Sequence, residues 1–597
     1  MKKTKLLFPL TLLAMLALGG CDLKIHNNDN TDGSTVVDVD PSGNTSDGGV
    51  SEEITVDETP VEPEITNTSS FSISTDDGGY TQTGNTYKIT KAGTYVLKGE
   101  LEEGQILIEA GEDDEVVLEL NGVKITNSSD SPIKAVSADK VEISAKKGTS
   151  NGVFDKRSTK TVDSSDLGEG AINAKCDLKL KGTGVLVVEA NYNNGIHTTK
   201  DLTIQKEELY VTAVNNAIKG KDSITMVSGT VTAVSKKGNG LKTDNTDVSS
   251  SGKQRGTITI SGGTLVVDSA FDAIDASYNI VINEDNDDSL ATDITIKTGK
   301  NSSYSSNYSS SGSSKGLKAD NDISIAAGTV TIKASDDAIH ANYGDTLDNG
   351  AKGQGTINIS GGTIGIASGD DGIHADNTLS ITGGDIKVSN ASEGLEANHI
   401  KIAGGNTYVY GTDDGVNASK KINQTPTIEI SGGFLDVQVT SGDTDGIDTN
   451  GTYTQTGGLV ISRGSPNNAS NMSTGLDADG TATIAGGTFI AFNGVEKTPQ
   501  RGNSVLYAYY GTVGRQTGSG GPGPGGRDGN SSSSVTFTSG TYTLSGGSVN
   551  KTFYNQYSYS AFLIYSNEMS IGETYTLKNG NTTVLSWTQK SASQSIS

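Results

Sequence analysis

Along most of the chain apolar and polar positions alternate over a few residues, and the run then breaks at glycine or at a cluster of Asn, Asp and Ser. Ile258-Thr259-Ile260-Ser261-Gly262-Gly263-Thr264-Leu265 shows the pattern, and Ile357-Asn358-Ile359-Ser360-Gly361-Gly362-Thr363-Ile364 and Ile428-Glu429-Ile430-Ser431-Gly432-Gly433 repeat it. A period of two predicts short, half-buried strands. The Gly-Gly pair predicts a turn in a backbone conformation that L-residues resist.

A second phrase stands between these runs. It reads acidic residue or Asn, Gly or Ala, Ile/Leu/Val, a variable residue, then Ala or Thr. Asn194-Gly195-Ile196-His197-Thr198, Asp337-Ala338-Ile339-His340-Ala341 and Asp445-Gly446-Ile447-Asp448-Thr449 are examples. Its second residue falls at 171, 195, 217, 240, 273, 316, 338, 372, 394, 415, 446 and 475, and six of the eleven intervals are 21 to 24 residues. The longer intervals carry extra Ser, Asn, Asp and Gly, as loop insertions on an unchanged repeat would. A repeat of this length with about three strands and no helical face predicts an all-β fold, a right-handed parallel β-helix (solenoid) with β-rich caps. Coils would then stack about 4.8 Å apart, so that equivalent residues form columns. Ile and Ala of the phrase would point inward and the variable residue outward.

Composition fits that picture. The chain of 597 residues holds 77 Gly, with aromatics at 5% and hydrophobics at 33%. This supply suits a narrow core of small and β-branched side chains. The 71 acidic against 45 basic residues give a net charge of −26, so no nucleic-acid partner is expected. Such a surface calls instead for metal cations or for plain solvation. Of the two cysteines, Cys21 belongs to the N-terminal signal, and Cys176 is expected as a small buried thiol.

Met1-Lys2-Lys3-Thr4-Lys5 followed by the apolar run Leu6–Leu18 has the form of an export signal. Leu18-Gly19-Gly20-Cys21 resembles a bacterial lipobox, which implies a lipid on Cys21 and a membrane-anchored lipoprotein on the cell surface or periplasmic side. The expected organisation is a signal peptide at 1–20 and a disordered polar tether at 21–68. A β-helix follows at 69–502, with 69–165 as the N-terminal cap and first coils. A β-rich C-terminal cap with a Gly/Pro loop takes 503–597. Capped ends predict a monomer.

Ile89-Thr90-Lys91-Ala92-Gly93-Thr94-Tyr95-Val96, Val117-Leu118-Glu119-Leu120-Asn121-Gly122-Val123, Gly148-Thr149-Ser150-Asn151 and Asn194-Gly195-Ile196-His197 occur in that order. In this the chain resembles a bacterial family of carbohydrate-binding β-helix domains. The resemblance covers roughly residues 70–500. It implies a pectate-lyase-like fold, binding of cellulose or acidic pectic polymers, and bound calcium.

Two columns carry candidate chemistry. The position before Gly/Ala is Asn at 194, 216 and 239, where a coil-to-coil hydrogen-bond ladder is expected. Further on it is acidic, at Asp337, Asp371, Glu393, Asp414 and Asp445, with Asp336, Asp370, Asp413 and Asp443 beside it and Asp448 nearby. Stacked carboxylates repel, so these residues are candidate Ca²⁺ ligands, with a solvated acidic edge as the alternative. Five His in the chain and no spare thiolate point away from zinc. The variable position reads Asn173, His197, Lys219, Lys242, Asp275, Lys318, His340, His374, Glu396, Asn417, Asp448 and Asp477. Lys219, Lys242, Asp275, Lys318, His340 and His374 are the candidate polysaccharide contacts.

Calcium-assisted, non-catalytic polysaccharide binding is the leading expectation. A calcium-dependent lyase acting on uronate polymers stays open, with Lys242 and Lys318 flanking Asp275 as possible bases. An adhesin or structural surface protein without a sugar ligand is the third reading.

Overall fold

The computed structural model describes residues 54–596, apart from residues 57, 78, 162–166, 206, 285–290, 300–312, 349, 441, 443, 467–472 and 512–534. The segment read as a signal peptide (1–20), Cys21 and Asp443 therefore lie outside the described residues. Every named element is a strand, and most strands join one large, mostly parallel sheet.

Strands pair in three parallel columns. The first contains Gly170–Ala174, Asn194–Thr198, Ile218–Gly220 and their successors as far as Ile447–Thr449. The second contains Asp177–Gly182, Asp201–Gln205, Ser223–Met226 and Thr257–Ile260. The third contains Val185–Ala190, Glu207–Ala213, Gly229–Ser235 and Gly263–Ser269. Within a column each strand pairs with the equivalent strand one repeat later, so the sequence period and the pairing offset are the same number.

The apolar residue of the phrase sets the register. Ile172, Ile196, Ile218, Leu241, Ile274, Leu317, Ile339, Ile373, Leu395, Val416 and Ile447 pair in succession. All of them are buried in one continuous core. A slip of one residue would turn this whole column to solvent, so burial fixes the register.

Glycine is required where coils touch. A Cβ on Gly394 would lie 2.0 Å from a Val409 methyl and 2.7 Å from the Gly415 carbonyl oxygen. At the Gly-Gly turns the second residue is left-handed, as at Gly405 with φ 78°.

The ends change character. At the N-terminus Tyr80–Thr83 and Thr86–Ile89 form an antiparallel hairpin. At the C-terminus Gly540–Gly546, Val549–Asn555, Thr574–Asn579 and Thr582–Thr588 form a four-stranded antiparallel sheet. A second core of Phe492, Phe537, Tyr542, Phe553, Phe562 and Trp587 joins it to the last coils. Arg463 is fully buried there. It donates to Asn555 Oδ1 (2.6 Å), Tyr554 O (2.9 Å) and Val437 O (3.1 Å) and pairs with Asp436.

The described part of the segment read as tether, residues 54–68, lies against the third column. Ile54 N donates to Ser389 Oγ (3.3 Å), Thr59 Oγ1 to Asp268 Oδ2 (2.8 Å), and Thr212 Oγ1 to Glu62 Oε2 (3.2 Å). Ile65 packs with Phe154 and Val187 in a small apolar cluster. The polar composition hides this packing. Pro60 and Pro63 hold the chain extended, and single apolar residues are enough to seat it.

Candidate functional site

The site is built on the edge where the third column turns into the first. Each phrase begins there, and its first residue tops a turn repeated one coil later. In the early coils that residue is Asn. Asn216 Nδ2 donates to Asn194 Oδ1 (2.8 Å), and Asn239 N donates to Asn216 Oδ1 (3.1 Å). The acidic residues take over the same work in the later coils. Asp371 N donates to Asp337 Oδ1 (3.0 Å), Glu393 N to Asp371 Oδ1 (3.3 Å), and Asp445 N to Asp414 Oδ1 (2.7 Å). Asp337, Asp371, Glu393, Asp414 and Asp445 therefore form one aligned column, in which one carboxylate oxygen of several members is spent on the backbone of the next coil.

The column divides into two electrostatic parts. In the first, the protein supplies its own cations. Lys315 Nζ reaches Asp336 Oδ1 (2.9 Å) and Asp337 Oδ2 (2.6 Å). Beside it, in the variable column, Lys421 Nζ reaches Glu396 Oε2 (2.8 Å). Burial would raise the Asp337 carboxyl, but the His340 hydrogen bond and Lys315 outweigh it and hold the group low. Asp370, half-buried beside Asp337, Asp336 and Glu393, is pushed up by burial and by those charges.

In the second part the charges acting on the carboxylates are those of other carboxylates. Burial, then Asp448, Asp445 and Asp413, push Asp414 up to about 8. Burial and Glu496 push Asp477 up to about 8. Burial, Asp479 and Glu496 push Asp448 up to about 6. One carboxylate oxygen from each of Asp445, Asp448 and Asp477 lies within 4.8 Å of the others. Asn417 Oδ1 and Asp477 Oδ1 are buried without a hydrogen-bond partner. A set of oxygens this dense, with orphaned members, fits a hard dication.

The variable column runs beside this edge, and it is less exposed than an outward-facing position predicts. His197, Asp275, His374 and Glu396 are all buried. The Lys residues do not present a free positive strip. Lys219 pairs with Asp244 (2.6 Å), and Asp275 sits between Lys242 and Lys318, the latter at 3.2 Å and also bonded to Asp320 (2.8 Å). His197 donates to Asn173 Oδ1 (2.9 Å), and burial, with Lys219, pushes its ring down to about 4.

His340 and His374 stack with ring centroids 4.3 Å apart. Their Nδ1 atoms donate to Asp337 (2.5 Å) and Asp371 (2.7 Å).

Sequence reasoning missed Asp244, Asp320 and Asp376, although each stands two residues after a variable position. Following the alternation one step further along the strand finds them. It also missed the role of Lys315, the first residue of its own copy of the phrase one coil before Asp337, and it missed Lys421 and Glu496, which stand outside the phrase.

Three comparisons bear on this arrangement. A family model described as "Carbohydrate-binding domain-containing protein" matches residues 83–351 and 344–496. A protein of the same description from Acetivibrio thermocellus is 36% identical over 210 residues, 35% of this chain and 65% of that relative. A solved structure, the polysaccharide lyase-like protein from C. thermocellum in a gadolinium derivative, is 33% identical. The likeness to it covers 37% of this chain and 85% of that one, with a TM-score of 0.33. The family model spans well over half of the sequence and most of the stacked coils, and the chain belongs to the carbohydrate-binding domain-containing protein family.

Proposed function

We propose that this chain is an exported surface lipoprotein, anchored through Cys21, that binds polysaccharide without cleaving it and uses Ca²⁺ to do so. The expected winding is a right-handed parallel β-helix, as the handedness of parallel crossovers supports. Antiparallel caps at both ends support a monomer.

One observation carries the calcium assignment: Asp445, Asp448 and Asp477 crowd together, with orphaned oxygens at Asn417 and Asp477 and with Asp414 bonded to Asp445 N on the preceding coil. Asp413 and Glu496 complete an all-oxygen set, and Ca²⁺ accepts six to eight such ligands. Asp336 and Asp337 are weaker candidates than the sequence suggests, because Lys315 already serves them. Family membership supports the glycan partner. The interlocked charges from Lys219 to Lys318 sum close to neutrality, which suits hydroxyl-rich sugar better than a purely anionic chain. They also argue against a lyase base, since Lys242 and Lys318 are both engaged in ion pairs with Asp275.

The test is retention of the purified chain on insoluble cellulose and on immobilised polygalacturonate, with calcium and with chelator. Retention lost on chelation, with no unsaturated product by ultraviolet absorbance, is the expected result. Unsaturated product would overturn the non-catalytic reading, and retention on neither glycan would favour an adhesin.

A further inference from the structure

The lysines of the variable column are engaged in ion pairs, but the early coils hold ammonium groups that are not. A cleft of about 460 Å³ opens where the second column turns into the third, after the strands Lys140–Ala145 and Asp177–Gly182. Lys146, Lys147, Lys179 and Lys181 line it, beside one acid, Glu119. Two of these lysines are neutralised: Lys146 Nζ lies 2.9 Å from Glu119 Oε1, and Lys181 Nζ lies 2.5 Å from Glu142 Oε1. Lys147, which is exposed, and Lys179, which is half-buried, have no carboxylate partner among the described residues. Four ammonium groups against Glu119 and Glu142 leave a surplus of two positive charges, in a chain whose net charge is −26.

The strand register brings these groups together. Lys179 and Lys181 stand two apart on one strand and so share its outer face. Lys179 pairs with Glu142 on the coil before and Thr203 on the coil after, and Lys181 pairs with Ser144 and Gln205 in the same way. The Lys179 row then runs on through Thr203, Thr225 and Thr259, one hydroxyl per coil at steps of about 4.8 Å. These threonines are half-buried and short, which leaves a flat track of hydroxyl groups leading out of a positively charged cleft. A concave site with a local positive surplus concentrates anions, even on a molecule whose overall field repels them. A sugar chain that carries acidic groups has both halves of the matching chemistry, charge for the cleft and hydroxyls for the track.

We propose that Lys147 and Lys179 bind an acidic group of a sugar chain, a carboxylate or a sulfate, while hydroxyls of the same chain lie along Thr203, Thr225 and Thr259. This site rests on the polysaccharide-binding reading and gives the acidic sugar a place of its own, away from the carboxylates at Asp445, Asp448 and Asp477. The protein supplies the cations here, so the contact needs no metal. An ammonium group is a compact point charge and accepts either anion. Both lysines are solvated, so they add a salt-sensitive increment to affinity rather than the bulk of retention.

The test titrates the whole chain by calorimetry in CaCl₂, at low and at physiological ionic strength. The probes are oligogalacturonate, dextran sulfate and, as the neutral control, fully methyl-esterified oligogalacturonate. Lys147→Gln with Lys179→Gln strands no carboxylate, and its melt should match the wild type; Lys147→Gln alone, on an exposed turn, carries the same expectation at smaller size. The double variant should bind at least one acidic probe about 3-fold to 10-fold more weakly at low ionic strength, with a flatter salt dependence and no change for the ester. Arginine at both positions should restore binding, and Lys578→Gln, the same charge change in the C-terminal sheet, should leave it unaltered. Affinity and salt dependence unchanged in the double variant, or an equal loss in Lys578→Gln, would overturn the proposal. A wild type that holds cellulose but neither acidic probe removes this site and leaves the polysaccharide reading standing, whereas a wild type that holds no glycan removes both.

Discussion

Asp414→Asn should make the protein more stable at alkaline pH in chelator and leave it nearly unchanged in acid. The Asp414 carboxyl is moved from 3.8 up to about 8 by burial and by Asp448, Asp445 and Asp413. A shift of that size corresponds to roughly 6 kcal/mol, and solvent at the open side of the column reduces the working figure to roughly 3–6 kcal/mol. The sign follows from linkage. The folded state holds the proton more tightly than the unfolded state, so the group contributes full stability below the unfolded value of 3.8. That contribution falls as pH rises and is lost near 8.

Asparagine removes the charge and keeps the amide oxygen that accepts from Asp445 N. The fold already uses Asn in this role at Asn216, which accepts from Asn239 N. For a cooperative unit of this size, about 2.1 cal/mol/K per residue makes each kcal/mol worth roughly 1 °C. Calorimetric or circular-dichroism melts of both proteins in chelator should then show a gain of roughly 3–6 °C near pH 8 and almost none near pH 4. Millimolar calcium should shrink the gain, because it stabilises the wild type and binds the variant less well. Equal gains at the two pH values, or a variant less stable at pH 8, would refute the reasoning.

Arg463→Ala strands the buried Asp436 carboxylate and cuts the ties to Tyr554 and Asn555; a loss of about 3–5 kcal/mol is expected by urea unfolding, and replacing Arg463 and Asp436 together by Leu should recover much of it. Gly405→Ala puts a Cβ 2.6 Å from the Gly384 carbonyl oxygen on a residue with φ 78°, and should cost at least about 1–2 kcal/mol by the same assay. The Cys176 thiol is 4% exposed and burial pushes it up to about 11, so a thiol reagent near neutral pH should label it only on unfolding; rapid labelling of the native protein would contradict the burial.

The column of Ile and Leu at the centre of the phrase was legible in the sequence because one residue type recurs at one spacing and is buried in every coil. The Asn and acid column was legible for the same reason. Its electrostatics were not. Lys242, Asp275 and Lys318 were legible as successive variable positions despite the 33 and 43 residues between them, but the added pairing of Lys219 with Asp244 and of Lys318 with Asp320 was not. Lys219, Lys242 and Lys318, expected as polysaccharide contacts, are each engaged in ion pairs. The period does place Lys315 one coil before Asp337, where it neutralises Asp336 and Asp337, but no period shows that Asp477 presses on Glu496. The pair that depends on local alternation, His340 with His374, could be read as neighbours on successive coils. Asp376, which faces both Nε2 atoms, required the backbone.

The strap at residues 54–68 has a mechanical consequence. Between Ile54 at Ser389 and Ile65 at Phe154 it crosses eight coil steps, about 38 Å at 4.8 Å each, using eleven residues that reach about 37 Å when extended. It has no slack. A pull on the chain ahead of Ile54 therefore loads the strap in shear along the flank of nine coils. Force entering this way is shared by many weak contacts before any strand at the end of the stack is peeled.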